Sequence, residues 1–236
     1  MPDLDFRIMS VAAANYGIAP LLHFQLEITN TPETETIQSV MLQAQIQIQS
    51  TQRAYQPAEK EKLGELFGTP DRWGQTLRAR LWTHASVNVR QFSGQTEAIL
   101  SVPCTYDLNV AATKYFYALE GGEVPLLFLF SGTIFYLGPE ERLQIQQVSW
   151  NKEGAYRMPI AVWQEMMDQH YPNTAWLSLD RGLFERLYAF RRRESLANWE
   201  QTIEALLSQN DEFRMTRNAT AGEAGLSKPE TMVKSE

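Results

Sequence analysis

The sequence predicts an α+β protein built on an antiparallel β-sheet or sandwich, with short helices after the second strand pair and a C-terminal helical layer. Three observations predict it. Several segments between Asp5 and Trp150 alternate apolar and polar residues, the period of two that marks a strand with one buried face. Pro103–Tyr136 is the most apolar and aromatic stretch and closes in a nearly continuous apolar run, Val124–Tyr136, as a strand covered on both faces would. From Pro159 onward apolar residues recur at spacings of three and four, so helices follow strands.

The elements follow in order. Asp5-Phe6-Arg7-Ile8 reads as an edge strand, with Gly17 and Pro20 as breakers. Leu22, Phe24, Leu26 and Ile28 alternate with His23, Gln25 and Glu27. Ile37–Gln49 does the same, with Val40, Leu42, Ala44, Ile46 and Ile48 on one face. Joined by the short polar loop Asn30-Thr31-Pro32-Glu33, the two strands read as a meander. Pro57 opens a short helix that ends at Gly68 and turns Leu63, Leu66 and Phe67 inward. Thr69-Pro70-Asp71 starts a second, in which Trp73, Leu77 and Leu81 share a face. Val87–Phe92 and Thr96–Val102, on either side of Ser93-Gly94-Gln95, read as a hairpin.

In the central stretch, alternation of Tyr106, Leu108, Val110 and Ala112 favours a strand that pairs with Val124–Tyr136 through the turn Gly121-Gly122-Glu123. The alanines leave a helical reading of Val110–Leu119 open, and Tyr115-Phe116-Tyr117 weighs against it. Pro125 belongs at the start of its strand, since it cannot donate to a ladder, and Gly132 marks a bulge or a close backbone approach. Leu143–Trp150 returns as a further strand. Pro159 then starts a helix carrying Ile160, Trp163, Met166, Met167 and His170, which Pro172 stops. Asp180 caps a helix with Leu183, Phe184, Leu187 and Tyr188, and Ser195 or Asn198 precedes a last stripe of Trp199, Ile203, Leu206 and Leu207. One globular domain over residues 1–209 is expected, with 210–236 a disordered polar tail.

Composition narrows the function. With 236 residues, 44% of them hydrophobic, the chain has material for a packed core. A formal charge of −7 argues against nucleic acid, whose phosphates demand surplus Lys and Arg. No apolar run is long enough to cross a bilayer and the N-terminus lacks a basic, apolar leader, so a cytoplasmic protein without membrane insertion is expected. Cys104 is the one cysteine, which excludes an intrachain disulfide and fits a reducing compartment.

Cys104, Asp107 and His84 are the residues that could supply a nucleophile, an orienting carboxylate and a base, and so a small-molecule or catalytic pocket. The competing reading, which the sequence favours, makes Cys104 a small core residue. Asp168 and His170 lie two apart on one helix and face different ways, so no metal site is expected. Nor is a cofactor, because phosphate-binding glycine loops, zinc spacings and dinucleotide fingerprints are missing. Arg191, Arg192 and Arg193 sit near a helix C-terminus, where the dipole favours cations. With Trp163, His170, Tyr171 and Trp176 they form a candidate surface for another protein. A non-catalytic binding or accessory protein is the expectation that follows.

The stretches PCTYDLNVAATKYFYALEGGEVPLLFLFSGTIFY, VSWNKEGAYRMPIAVWQEMMDQHYP and LFGTPDRWGQTLRARLWTHASVNV together resemble an uncharacterised family of bacterial proteins, over roughly Val11–Leu207. Members of that family are encoded near uptake nickel-iron hydrogenase genes. The resemblance implies a role beside a hydrogenase, in assembly or electron delivery, with a hydrogenase subunit as partner. It brings no catalytic residues. One cysteine cannot hold nickel or an iron–sulfur cluster by thiolates, so such a role would work by contact.

Overall fold

The computed structural model describes residues 1–14, 17–105, 110–138, 141–175 and 177–210. Of the polar tail read from the sequence over 210–236, residues 211–236 lie outside the described residues, and Asn210 ends a helix. The chain divides into two compact units, Met1–Ala175 and Trp176–Glu236.

The first unit runs β1 (Asp3–Ala13), β2 (Leu21–Thr31), β3 (Thr36–Ile48), then three short helices, α1 (Pro57–Lys62), α2 (Gly64–Phe67) and α3 (Trp73–Thr76). It continues through β4 (Arg80–Val89), β5 (Phe92–Ser93), β6 (Gln95–Pro103), α4 (Val110–Ala118), β7 (Glu123–Leu137), β8 (Leu143–Gln147), β9 (Glu153–Pro159) and α5 (Ile160–His170). The second unit holds α6 (Arg181–Arg193) and a further helix over residues 199–210.

The strands form two antiparallel sheets. One has the order β1-β2-β6; the other has the order β4-β3-β7-β8, with β5 also on β3 and β9 also on β7. Their apolar faces meet as a sandwich. Phe24 on β2 touches Trp82, Phe128 and Tyr156 of the opposing sheet edge-on, and Phe6 on β1 stacks on Phe130 at 4.5 Å. Alternation in β2 and β3 reports this directly, because Leu22, Phe24, Leu26 and Ile28 face Val40, Leu42, Ala44, Ile46 and Ile48 across the core, all buried.

Two expected pairings are corrected by this arrangement. β2 and β3 are not a meander: β2 pairs with β1 and β6, and β3 with β4, β5 and β7. Nor do the strands around Gly94 make a hairpin, since Phe92 pairs with Ile37 of one sheet and Gln95 with Thr29 of the other. The chain crosses between sheets twice at one corner. Gly94 has φ 69° there, and its amide neighbour Asn30 donates to the Gly94 carbonyl at 2.7 Å.

Two expected elements change type. Val110–Ala118 is a helix, not a strand; Tyr106 and Leu108, on which the alternation also rested, lie outside the described residues. Ala112, Tyr115, Phe116 and Leu119 stand at i, i+3, i+4 and i+7 and are all buried, so the helical period of the core contacts prevails over the aromatic strand propensity. The helix after Thr69 is one turn of 3₁₀ and the short α3, and Leu81 belongs to β4, where it is exposed. The strand expected over Leu143–Trp150 ends at Gln147, and β9 follows it along the same edge of β7.

Gly132 answers to a close approach. It sits opposite Leu42 with φ 151°, and a Cβ there would fall 2.2 Å from the Met41 carbonyl oxygen. Replacement by alanine is expected to cost on the order of 1–3 kcal/mol, since backbone on both strands must shift. A lower denaturant midpoint is the readout, and an unchanged one would mean that β3 and β7 part there without loss.

Candidate functional site

Cys104 follows β6 into the core, its thiol 3.4 Å from the Val102 carbonyl oxygen. Burial pushes the thiol up to about 12, so no thiolate forms at neutral pH. His84 projects from the exposed face of β4, opposite Gln45. The two are not brought together, and Asp107 lies outside the described residues. Among the described residues no three of His, Cys, Asp and Glu gather closely enough to hold a metal ion.

The expected contact surface also changes. Trp163 is 1% exposed, its ring against Phe116 and Tyr117, so it belongs to the core beneath α5 and not to a contact face. His170 is a tether: Nδ1 lies 2.9 Å from the Met166 carbonyl oxygen and Nε2 3.2 Å from that of Gly17, tying the end of α5 to the segment after β1. Tyr171 packs against the core. Trp176 lies outside the described residues.

A cluster that sequence reading missed joins the loop after β3 to the turn before β7. Glu59, 1% exposed, accepts from Arg53 Nη2 at 2.6 Å and from the amides of Gln56 and Glu120 at 2.9 and 3.0 Å. Burial works to raise the Glu59 carboxyl, but the two amides and the guanidinium outweigh it and hold the group below its ordinary value. Arg53 also donates to the carbonyls of Gly121 and Glu123, at 2.7 and 2.8 Å. Beside it the Tyr55 hydroxyl lies 2.7 Å from the Ser50 carbonyl and 2.8 Å from the Tyr115 hydroxyl. Its one proton goes to the carbonyl, so Tyr115 is the donor between the two rings. Burial raises both phenols. Arg53 and Glu59 border a cleft of about 510 Å³ that Arg157 also lines, yet their charges are largely spent on one another, which makes them a staple. The signal for it was Gln56 and Glu59, the spacing of a capping box.

In the second unit, Asp180 caps α6 by accepting from the amides of Gly182 and Leu183, and Asn198 accepts from that of Gln201 at the start of the next helix. Trp199 packs the pair together, in contact with Phe184 and Tyr188 and covered by the Arg191 guanidinium at 5.0 Å. Arg191 also donates to the carbonyls of Leu196 and Ala197, and Arg193 pairs with Glu194 at 2.9 Å. Arg192 is the one of the three that borders a hollow of about 280 Å³, with Phe184, Glu185, Tyr188 and Ala189. Phe184 and Tyr188 remain 45% and 47% exposed, beside the exposed Leu183, Ile203 and Leu207. α6 carries five arginines against one glutamate in a chain of net charge −7. No described helix is long and apolar enough to cross a membrane.

No curated protein matches the chain. Among solved structures it is similar to a putative late embryogenesis abundant protein, with 14% identity, 67% of this chain and 72% of that one covered, and a TM-score of 0.29. It is also similar to β-glucosidase 3B from Thermotoga neapolitana (11%, covering 66% and 17%, TM-score 0.22) and to the β-glucosidase from Kluyveromyces marxianus (6%, covering 66% and 15%, TM-score 0.20). The chain thus spans less than a fifth of either glucosidase. A family of unknown function, DUF6084, matches residues 1–215, a span that takes in every described residue, and the protein belongs to that family.

Proposed function

We propose that this is a non-catalytic, cytoplasmic accessory protein that docks another protein through the helical surface at α6. The observation that carries the reading is the exposed row Leu183, Phe184 and Tyr188 beside Arg192, on a helix far more basic than the chain as a whole. Aromatic and arginine side chains together are the composition of interface anchors, and their charge fits an acidic surface. The resemblance to proteins encoded near nickel-iron hydrogenase genes supports a hydrogenase subunit as that partner, engaged during assembly or in the complex. The buried, protonated Cys104 and the solvent-facing His84 speak for contact rather than chemistry.

The test is affinity capture of hydrogenase subunits by the tagged full chain in its own host. Wild-type protein is expected to retain a subunit, and the double variant Phe184→Glu, Tyr188→Glu to lose about tenfold or more of it. Equal capture by the variant, or no hydrogenase subunit with either, would overturn the reading.

A further inference from the structure

The sandwich closes most of its own edges. β4 lies beside β6 and β1 beside β9, across the two sheets, and Lys152 bridges Asp3 and Asp5 at 2.8 Å on the β1 side. These edges also carry charge: Arg80 on β4, Glu97 on β6, and Asp3, Asp5 and Arg7 on β1. β8 differs on both counts. One side chain ties it to the first sheet, Gln146 donating to the Pro2 carbonyl at 2.9 Å, but among the described residues its backbone is paired with β7 alone, and its sequence, LQIQQ, has neither a charge nor a proline to discourage pairing.

The register fixes which of its backbone groups are free. Gly138 donates to the Arg142 carbonyl and Val148 to that of Gly132, both at 2.9 Å, and the pairs between run from Leu137 with Leu143 to Thr133 with Gln147. Bonded and non-bonded pairs alternate in an antiparallel ladder, so Gln144 and Gln146 turn their amides and carbonyls to β7. Leu143, Ile145 and Gln147 turn theirs outward. Leu143 and Ile145 are 61% and 63% exposed, opposite the partly buried Leu137 and Phe135, and Trp150 just beyond the strand is 93% exposed.

We propose that β8 is a self-association edge, where two copies of this chain pair their β8 strands antiparallel about a two-fold axis at Ile145. In that pairing every residue meets the same strand: Ile145 opposes itself and Leu143 opposes Gln147. A charged strand would meet its own charge. β8 has none, so it is the edge at which two molecules of net charge −7 come together with least repulsion.

Sedimentation equilibrium of the full chain across micromolar concentrations tests this. Wild-type protein is expected to approach twice its 27.0 kDa, and Ile145→Lys to raise the dissociation constant about tenfold or more, through like charges placed opposite each other. Because Ile145 is exposed, the variant's thermal unfolding should match the wild type at concentrations where both are monomeric. Ile145→Cys gives a second readout: residues facing each other in a bonded pair lie about 5.5 Å apart at Cα, so a short bifunctional thiol crosslinker should yield a covalent dimer. Cys104 is buried and does not compete. A wild-type chain that stays monomeric, or a dimer untouched by Ile145→Lys, would overturn the proposal; the second result would locate the contact on another face.

Discussion

Truncating Phe24 to alanine is expected to lower the unfolding free energy by about 3–5 kcal/mol, the range for removing a fully buried phenylalanine. The upper part of that range is expected here. The ring has no exposure and makes edge-to-face contacts with Phe128 at 5.2 Å, Tyr156 at 6.1 Å and Trp82 at 6.3 Å, side chains from β7, β9 and β4. One side chain therefore holds three strands of the second sheet against the first. Collapse into the vacated space would need those strands to approach β2 together, which their mutual hydrogen bonds resist, so a cavity remains. Denaturant titration should show a lower midpoint with little change in slope. As the matched control, Ile99→Ala on β6 removes an exposed side chain and should stay within about 0.5 kcal/mol. If both variants lose the same amount, the face-to-face packing is not what holds the sheets together.

Glu59→Gln is expected to cost about 3–5 kcal/mol at neutral pH, because it leaves the Arg53 guanidinium buried without its counter-charge. Arg53 is only 10% exposed at its side chain, and the two carbonyls it also contacts stabilise the cation less than a carboxylate does. The pH dependence follows from the direction of the Glu59 shift. Its carboxyl ionises more readily folded than unfolded, so its contribution is complete above the ordinary value of 4.5 and is lost as pH falls from there through the lowered folded value. The wild type should accordingly lose stability over that interval, and the glutamine variant should lack that part of the decline. Identical acid profiles for the two proteins would show that the cluster is solvated and contributes little. Arg53→Met, which removes the other charge, should be similarly costly at neutral pH by stranding the carboxylate.

Particular elements show how much of this was legible. β2 and β3 were read with bounds correct to a residue or two because half their side chains are buried and the alternation is unbroken. The cap Asp180, and Asn198 as one of two candidates with Ser195, were read from local chemistry that holds whatever the tertiary structure does. α4 was misread because Tyr115-Phe116-Tyr117 has the look of a strand. Only the facing Tyr55, Phe67, Trp82 and Trp163 rings show that its apolar residues are needed at helical spacing. Trp163 was a candidate for the surface because the C-terminal half is rich in aromatics, with core packing as the other reading; the α4 rings that cover it decide for the core. The Arg53–Glu59 pair escaped notice because its other ligands, the carbonyls of Gly121 and Glu123, are backbone groups some seventy residues away.

The sequence by itself determined most of the residues that turn inward, and with them most of the strands and helix starts and the α+β class, because the period of hydrophobicity is a local property of the chain. Tertiary structure alone decided which strands are neighbours and which edges remain open. Ladder hydrogen bonds join backbone groups that every residue shares, so β2 beside β3 and β2 facing β3 are written in the same side-chain pattern. The choice between them lies in covering both apolar faces at once, which two stacked sheets achieve and a single layer does not.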